Sequence, residues 1–329
     1  MSRPDVTLAL FTCHRPWMLG EALASVDRLI ADDFSLEILV VDNASQESTR
    51  QLVTEFARTA KHPVRLVCEE KPGLSCARNR AIREARSEWI AFFDDDQLAE
   101  PEWLREMVRL ARAETCLLVG GTLRLKLPSD CSRNFGPVCR KLLGEFVGGT
   151  NARPYTRTFT PGFGHILVHL SVFDQVGNFD EQLVAGGEDF DVYNRIRSAG
   201  IVSWYCPTAV AYHVIPPYRT EDKYMRWTAL RQGGHVAHRE RQGRGGAAYF
   251  AYVLARSGQA MLLHAPKYAW QRLRRDNELA LDARCRLWRS EGYLRQALFD
   301  LMPNRFGQRE FFASLNFREG RQRLAESNS

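Results

Sequence analysis

The sequence predicts an α/β fold with a mostly parallel sheet, because short apolar runs alternate with helical segments through the first part of the chain. Five runs have the length and near-continuous apolar character of buried strands. They are residues 6–12, 37–42, 64–68, 88–93 and 117–127. Strands that are apolar throughout are buried on both faces, which predicts helices packed on either side of the sheet.

Helical periodicity fills the gaps between these strands. After the first strand, apolar side chains recur at helical spacing at Leu19, Leu23, Val26 and Ile30. Ser45 stands where it can cap the next helix, since a serine hydroxyl accepts a hydrogen bond from a free backbone N–H group. The pattern predicts strand–helix units whose strand ends meet at one edge of the sheet.

The character of the chain changes near residue 216. Two prolines interrupt it there, no clear strand pattern follows, and residues 216–329 read as mainly helical. Residues 218–276 contain 12 Lys or Arg and four Asp or Glu, a net charge of +8 against +6 for the whole chain of 329 residues. We therefore expect two parts, residues 1–215 and residues 216–329, with the positive charge concentrated in the second.

Composition excludes several classes of protein. Hydrophobic residues make up 45% of the chain and charged residues 26%, which is globular composition. The eight Cys form no C-x-x-C pair, which argues against a disulfide scaffold or zinc ribbon. Glycine, proline or arginine interrupts the longest uncharged runs, and Asp5 argues against a signal peptide. We expect a cytoplasmic protein that does not bind nucleic acid, because no recognition motif accompanies the charge.

Three consecutive aspartates follow the fourth predicted strand. Asp94, Asp95 and Asp96 lie at the edge where ligands bind in such sheets, as do residues 12–15 and Asp42 after the first two strands. Adjacent carboxylates raise one another's pKa unless a cation neutralises them. Oxygen ligands favour Mg²⁺ or Mn²⁺, and an ion held by one or two carboxylates keeps positions open for phosphate. A solvated acidic turn before the next helix is the alternative interpretation.

Six motifs, in order along the chain, resemble those of the family 2 glycosyltransferases. They are TCHR (12–15), VVDNAS (40–45), KPGLSCARN (71–79), FFDDD (92–96), FDE (179–181) and GGEDFD (186–191). The resemblance covers about residues 5–215 and continues more loosely to Arg231. It implies a Rossmann-like GT-A catalytic domain over residues 1–215, with residues 216–329 as a basic helical region for acceptor or membrane association.

The resemblance implies inverting transfer of a sugar from a nucleoside diphosphate sugar, expected to be UDP-linked, to a hydroxyl group of a glycan or lipid-linked acceptor. Thr12 and Arg15 would line the nucleotide pocket. Asp42 would contact the base, and Arg78 would lie near the base or the diphosphate. Asp94 would contact the ribose or the donor sugar.

Asp96, the last residue of the D-x-D pattern, would hold Mg²⁺ or Mn²⁺, with Asp95 beside it in the donor site. Asp189 would be the general base that deprotonates the acceptor, with Glu188 as its catalytic neighbour. A carboxylate at a helix start also complements the helix dipole, which is the structural alternative for Glu188. His213 is a candidate metal ligand, but a diphosphate contact or a partly buried histidine at a strand end remains open.

The sequence departs from the family at three histidines. His14 stands where the family usually has Asn, and His165 and His169 replace the usual Asn and Arg. These changes leave the donor and acceptor contacts of residues 164–170 open. They say little about the metal or the base.

The basic C-terminal region has three interpretations: contact with an anionic membrane surface, binding of an anionic or lipid-diphosphate acceptor, or a solvated face. Apolar residues within 248–263, flanked by Arg, favour interfacial contact without a span, at the inner face of the cytoplasmic membrane. Arg219 and Arg231 are candidates to neutralise diphosphate or to face solvent or membrane.

Two other functions share parts of these signals. A sugar-nucleotide pyrophosphorylase would need a Gly-rich loop bearing Lys or Arg after the first strand, which FTCHRPWML lacks. A nucleotide-sugar-binding protein without activity is disfavoured by the intact Asp96 and Asp189.

Overall fold

A computed structural model describes residues 3–43, 47–183, 186–243 and 245–306. The predicted cap at Ser45 lies outside the described residues. The chain divides into two compact units. The first contains the chain up to Arg124 together with Phe146–Val214, and the second contains Leu125–Glu145 and the described chain from Ile215. Residues 125–145, which the sequence pattern groups with the first part, thus belong to the second unit. The roles assigned to the two parts stay predictions.

The first unit is built around a mixed β-sheet. Its strands are β1 (Val6–Thr12), β2 (Leu36–Asn43), β3 (Val64–Glu69), β4 (Trp89–Asp94), β5 (Gln97–Ala99), β6 (Leu118–Lys126), β7 (Arg153–Pro154), β8 (His165–His169) and β9 (Ser203–Val214). Their order is β3-β2-β1-β4-β8-β6-β9-β5, with β7 paired to β9. The neighbours among β3, β2, β1 and β4 run parallel, whereas β8 is antiparallel to β4 and β6.

The five predicted strands are confirmed within one residue at either end, as β1, β2, β3, β4 and β6. The sequence pattern did not reveal β8, which follows a loop and has only three fully buried apolar residues, Ile166, Leu167 and Val168. Its insertion next to β4 changes a parallel half-sheet into a mixed one. The predicted α/β class with a helical C-terminal region is confirmed.

Helices flank the sheet and make up most of the second unit. They are α1 (Pro16–Val26), α2 (Glu47–Ala57), α3 (Leu74–Glu84), α4 (Trp103–Ala113), α5 (Pro137–Leu142), α6 (Ser171–Val176), α7 (Glu188–Ser198), α8 (Asp222–Gln242), α9 (Gly246–Gln259), α10 (Ala265–Leu273) and α11 (Asn277–Leu301). A 3₁₀ turn (Pro217–Thr220) precedes α8, and a π-helical turn (Ala260–His264) joins α9 to α10.

Both faces of the sheet are covered by apolar cores. In β1, Leu8 and Leu10 point into one core, while Ala9 and Phe11 point into the other, because successive strand side chains alternate between faces. All four are buried. The burial on two faces expected from the continuous apolar runs is therefore present.

The second unit is held together by helix packing and by one capping carboxylate. The backbones of α8 and α11 approach closely at Gly233 and Gly292, where a Cβ would lie 2.0 Å from a carbonyl oxygen of the facing helix. The Asp282 carboxylate accepts hydrogen bonds from the backbone N–H groups of Val138 (3.0 Å) and Cys139 (2.9 Å) at the start of α5. These bonds satisfy N–H groups that a helix start leaves free, and they attach the 125–145 segment to α11. No helix in the described ranges is long and apolar enough to cross a membrane.

Candidate active site

The carboxyl ends of three parallel strands lie at one edge of the first unit. In the sheet register, Thr12 of β1 is opposite Asp42 of β2, and Phe11 is opposite Asp94 of β4. Polar residues that end different strands are therefore neighbours in space. This is the edge at which the sequence predicts a ligand.

Asp95 lies at the centre of a buried ion-pair network. Thr12 donates a hydrogen bond from Oγ1 to Asp95 Oδ2 at 2.8 Å, and Arg15 Nη2 lies 2.8 Å from Asp95 Oδ1. The second nitrogen of the same guanidinium, Nη1, lies 3.2 Å from Asp96 Oδ2. Burial raises the pKa of Asp95 to about 7, although the Arg15 charge acts in the opposite direction. Two residues predicted to line the nucleotide pocket thus also hold the aspartate triplet in place.

Asp96 and His213 form a pair of candidate metal ligands. Asp96 Oδ2 lies 3.4 Å from His213 Nε2, and β9 brings His213 to this position opposite Gln97 of β5. The backbone N–H of Val214 also donates to the Asp96 carbonyl at 2.8 Å, which fixes the two chain segments together. Within the described part of the chain, no three His, Cys, Asp or Glu side chains gather as a metal site. Carboxylate oxygen and imidazole nitrogen suit Mn²⁺, and a two-residue donor set is ordinary for an ion that also binds phosphate oxygens.

Asp94 is enclosed by a glycine loop. Its backbone N–H donates to the carbonyl of Gly164 at 3.2 Å, and a Cβ on Gly164 would lie only 2.2 Å from Asp94 Oδ2. Burial raises the pKa of Asp94 to about 6, with Arg78 opposing that shift. Gly164 therefore has a steric reason to be glycine, which its place in the sequence did not reveal.

Asp189 is held by a buried arginine and a backbone N–H group. Arg78 Nη1, from α3, makes a short contact with Asp189 Oδ1 and lies 3.4 Å from Glu188 Oε1. The Phe163 N–H donates to Asp189 Oδ2 at 3.1 Å. Burial would lower the pKa of Arg78, but the charges of Asp189, Asp94 and Glu188 raise it above its ordinary value. Arg78 thus stays cationic beside the predicted base.

Glycines set the start of the helix that carries Asp189. Gly186 and Gly187 have φ angles of +99° and +103°, in the region that side chains other than glycine rarely adopt. Glu188 is the first residue of α7, and burial, followed by repulsion from Asp189, raises its pKa. The helix-dipole interpretation of Glu188 and its place beside the base are both compatible with this geometry.

Asn79 and Glu181, from the KPGLSCARN and FDE motifs, hold the scaffold under this site. Asn79 exchanges two hydrogen bonds of 3.0 Å with the backbone of Phe179 and donates a third to Glu181 Oε1. Glu181 also pairs with Lys71, and hydrogen bonds from Lys71 and Asn79 lower its pKa to about 2. No individual role for these two residues followed from the sequence. Their bonds join α3 to the loop that leads to α7.

Asp42 is a buried carboxylate near the end of β2. Its Oδ1 accepts no hydrogen bond from residues in the described ranges. Burial raises the pKa of Asp42 to about 6. A buried acceptor without a partner is costly, so a donor N–H from a bound base would remove that cost.

The three histidines at which the sequence departs from the family lie in different parts of the first unit. His165 is buried, its Nε2 lies 3.2 Å from the Gly121 carbonyl oxygen, and burial lowers its pKa to about 4. His169 lies at the other end of β8, paired with Trp89 at the start of β4 and therefore away from the triplet. His14 adopts a left-handed φ of +55° between β1 and α1.

Known proteins resemble this chain in sequence and fold. The family model "Glycosyl transferase family 2" matches residues 8–159. Curated relatives include the glycosyltransferase AglE of Haloferax volcanii, 25% identical over 184 residues, or 55% of this chain and 58% of that protein. The succinoglycan biosynthesis protein ExoM of Rhizobium meliloti is 24% identical over 232 residues, which cover 69% of this chain and 71% of ExoM.

Among solved structures, a mannosyltransferase from Pyrobaculum calidifontis, PcManGT, in complex with GDP-Man and Mn²⁺, aligns with a TM-score of 0.60 at 21% identity. That alignment covers 92% of this chain and 88% of PcManGT. GalNAc-T7 with UDP, GalNAc and Mn²⁺ aligns with a TM-score of 0.52 at 16% identity, over 65% of this chain and 44% of GalNAc-T7. These likenesses show the fold that the sequence motifs implied.

Proposed function

We propose that this chain, whose residues 8–159 match the model of glycosyl transferase family 2, transfers a sugar, with inversion, from a nucleoside diphosphate sugar to a hydroxyl group of a glycan or lipid-linked acceptor. The observation that carries the proposal is the convergence of Asp42, the Asp94–Asp96 triplet and Asp189 around the edge of one sheet. Asp95 and Asp96 pair with Arg15, and Asp189 pairs with Arg78, so three of these carboxylates are held by an arginine from another element.

The donor nucleotide would bind across the ends of β1 and β2. Asp42 Oδ1 would accept a hydrogen bond from an N–H group of the base, and this supports a uracil- or guanine-type nucleotide, with UDP as the first expectation. Asp94 would contact the ribose or donor sugar beside Gly164. Thr12, Arg15 and Asp95 would act by holding Asp96 and the end of β4 in position.

Asp96 and His213 would hold Mg²⁺ or Mn²⁺. Their spacing of 3.4 Å and their oxygen and nitrogen donors fit such an ion with two protein ligands. When bound, the ion supplies positive charge that stabilises the leaving diphosphate. Arg15 carries a fixed positive charge at the same carboxylates, so it reduces their mutual repulsion before any donor binds.

Asp189 would accept the proton of the attacking hydroxyl. Arg78 and the Phe163 N–H hold its two oxygens in a fixed orientation, which is what a general base requires. The Asp189 side chain is 35% exposed, so an acceptor can reach it while its guanidinium partner stays buried. Glu188, in contact with the same Arg78 nitrogen, would help set the charge balance around the base.

The test is a thermal-shift screen of nucleoside diphosphate sugars with and without Mn²⁺, because a ligand that binds only the folded state raises the melting temperature. We expect one nucleotide class to raise the melting temperature more strongly when Mn²⁺ is present. No response to any nucleotide sugar, with or without the ion, would contradict the proposal. Release of nucleoside diphosphate then distinguishes transfer from the pyrophosphorylase alternative, which would convert a nucleotide sugar and pyrophosphate to nucleoside triphosphate and sugar 1-phosphate.

A further inference from the structure

Residues 246–273 form a helical segment with an unusually apolar surface. It consists of α9, the π-helical turn and α10. Its large hydrophobic side chains exposed to solvent are Phe250, Leu254, Met261, Leu262, Leu263, Trp270 and Leu273. Met261, Leu262 and Leu273 are each more than 70% exposed (73%, 76% and 77%). A cluster of this kind marks an interaction surface.

Most of the apolar residues of this segment lie outside the core. Helix α9 packs through Tyr249 and Val253 in a small cluster with Ala237, Tyr293 and Ala297. The π-helical turn and α10 contain no buried residue. Most helices in proteins owe their stability to the packing of an apolar face, so a helix that buries none of its apolar residues lacks that support. The geometry indicates a further surface that covers them.

The charge around the segment is of one sign. Between Glu240 and Asp276, the sequence contains seven Lys or Arg and no Asp or Glu. Lys267 and Arg272 lie within α10, and Arg274 and Arg275 follow it. Arg286 and Arg289 of α11 add to the positive charge near this segment. Burial lowers the pKa of His264, and the charges of these two arginines lower it further. Such a surface attracts an anionic partner.

We propose that residues 250–273 bind the surface of an anionic lipid bilayer, with the apolar side chains among the acyl chains and the basic side chains at the level of the phosphates. Lys and Arg suit this position because their long stems let the charge reach the headgroups. Trp270 suits it because indole is favoured at membrane interfaces. In this arrangement the segment lies in the plane of the interface, with its apolar side chains buried at the boundary between headgroups and acyl chains.

A bilayer fits this surface better than a second protein. The consecutive residues Met261, Leu262 and Leu263 point in different directions around the axis of the π-helical turn, because successive residues of a helix are rotated about its axis. All three are more than half exposed. A partner helix covers a narrower stripe, whereas acyl chains can surround all three side chains. A second copy of this chain would bring the same positive charge to the interface and would be repelled.

Co-sedimentation with vesicles tests the proposal on the full chain. We expect binding to vesicles of equal parts phosphatidylglycerol and phosphatidylcholine at low salt, a loss of about tenfold at high salt, and little binding to phosphatidylcholine alone. The triple variant Met261→Ser, Leu262→Ser, Leu263→Ser should bind anionic vesicles about tenfold more weakly. The matched control, Val147→Ser with Val202→Ser, changes comparably exposed apolar residues in the first unit and should bind normally.

Fluorescence quenching distinguishes insertion from electrostatic adhesion. Brominated lipids should quench part of the tryptophan emission of the bound protein, and Trp270→Phe should remove that part. Unchanged vesicle binding by the triple serine variant, or quenching that Trp270→Phe leaves unaltered, would overturn the proposal. Self-association without vesicles that the triple variant abolishes would instead indicate a second copy. Nucleotide binding, measured in parallel, should be the same in all variants, so failure here is distinct from failure of the proposed transfer reaction.

Discussion

The sheet edge of the first unit buries charged groups, whereas the 246–273 segment of the second unit exposes apolar side chains. At the sheet edge, charged groups are enclosed and matched: Arg15 lies between Asp95 and Asp96, and Arg78 lies between Glu188 and Asp189. In the 246–273 segment, apolar side chains are exposed, and charges of a single sign accompany them. Charge enclosed in this way suits chemistry on a small polar substrate. Exposed apolar surface with a uniform charge suits attachment to a larger anionic body.

The largest effect is expected from breaking the enclosed charge pairs. Arg78→Met should lower the free energy of unfolding by about 3–5 kcal/mol, because removal of one partner leaves buried charge uncompensated. The Arg78 side chain is only 2% exposed. The control on the same helix is Arg83→Met, whose side chain is 53% exposed and pairs with Glu69, and its cost should be about 0–1 kcal/mol. Urea unfolding measures both, and equal losses would contradict the enclosed-pair account.

A smaller loss is expected when the space around Asp94 is filled. Gly164→Ala should cost about 1–3 kcal/mol of unfolding free energy, because the new methyl group overlaps the carboxylate and the loop must shift. Gly162→Ala is the matched control in the same loop, since its Cβ would meet no heavy atom closer than 4.0 Å. Its cost should stay within about 0.5 kcal/mol. If thermal or urea unfolding does not separate the two variants, Gly164 does not confine Asp94.

The metal proposal predicts an effect on binding. Asp96→Ala should weaken Mn²⁺-dependent nucleotide binding about tenfold or more, equivalent to about 1.4 kcal/mol, because one of the two proposed protein ligands is lost. His213→Ala should also weaken Mn²⁺-dependent nucleotide binding. Asp174→Ala, an exposed aspartate at α6, serves as the control. Calorimetric titration with and without Mn²⁺ measures the difference, and an unaltered metal dependence in Asp96→Ala would refute the assignment.

The smallest effect is a pH dependence of stability from Asp95. Its pKa is about 7 in the folded chain and near 3.8 when exposed, so between these values the folded chain holds a proton that the unfolded chain releases. Stability from this group therefore declines as the pH rises through that window. Asp95→Asn removes the group, so the variant should gain stability relative to the parent between pH 5 and pH 8. Melting temperatures at the two pH values measure this gain, and parallel changes in both proteins would rule it out.

The sequence predicted five of the nine strands that the structure describes, and few of the contacts between them. Each apolar run from β1 to β4 carries its own signal, because a strand buried on both faces excludes polar residues. β8 carries a weaker signal, with a histidine at either end. Residues 125–145 join the second unit through contacts with residues far along the chain, among them the hydrogen bonds to Asp282 and a shared apolar cluster, and no local pattern records such contacts.

In the candidate site, too, short motifs could be recognised from the sequence, whereas contacts between residues far apart in the chain could not. The D-x-D pattern and the Glu-Asp pair at a helix start were recognisable as motifs. Which cation faces which carboxylate was not, since Arg15 meets Asp95 and Arg78 meets Asp189 only through folding. The Gly164 contact with Asp94 also joins residues 70 positions apart in the chain, a separation that periodicity cannot report.

Comparison of Asp189→Asn with the parent protein tests the proposed general base most directly. Asp189→Asn should lose transfer by about a thousandfold or more, because a neutral amide cannot take the proton of the acceptor. Binding of the nucleotide sugar in the presence of Mn²⁺ should remain near that of the parent, since Asp189 is assigned to the acceptor. Sugar transfer by the variant at the rate of the parent would show that Asp189 is not the general base.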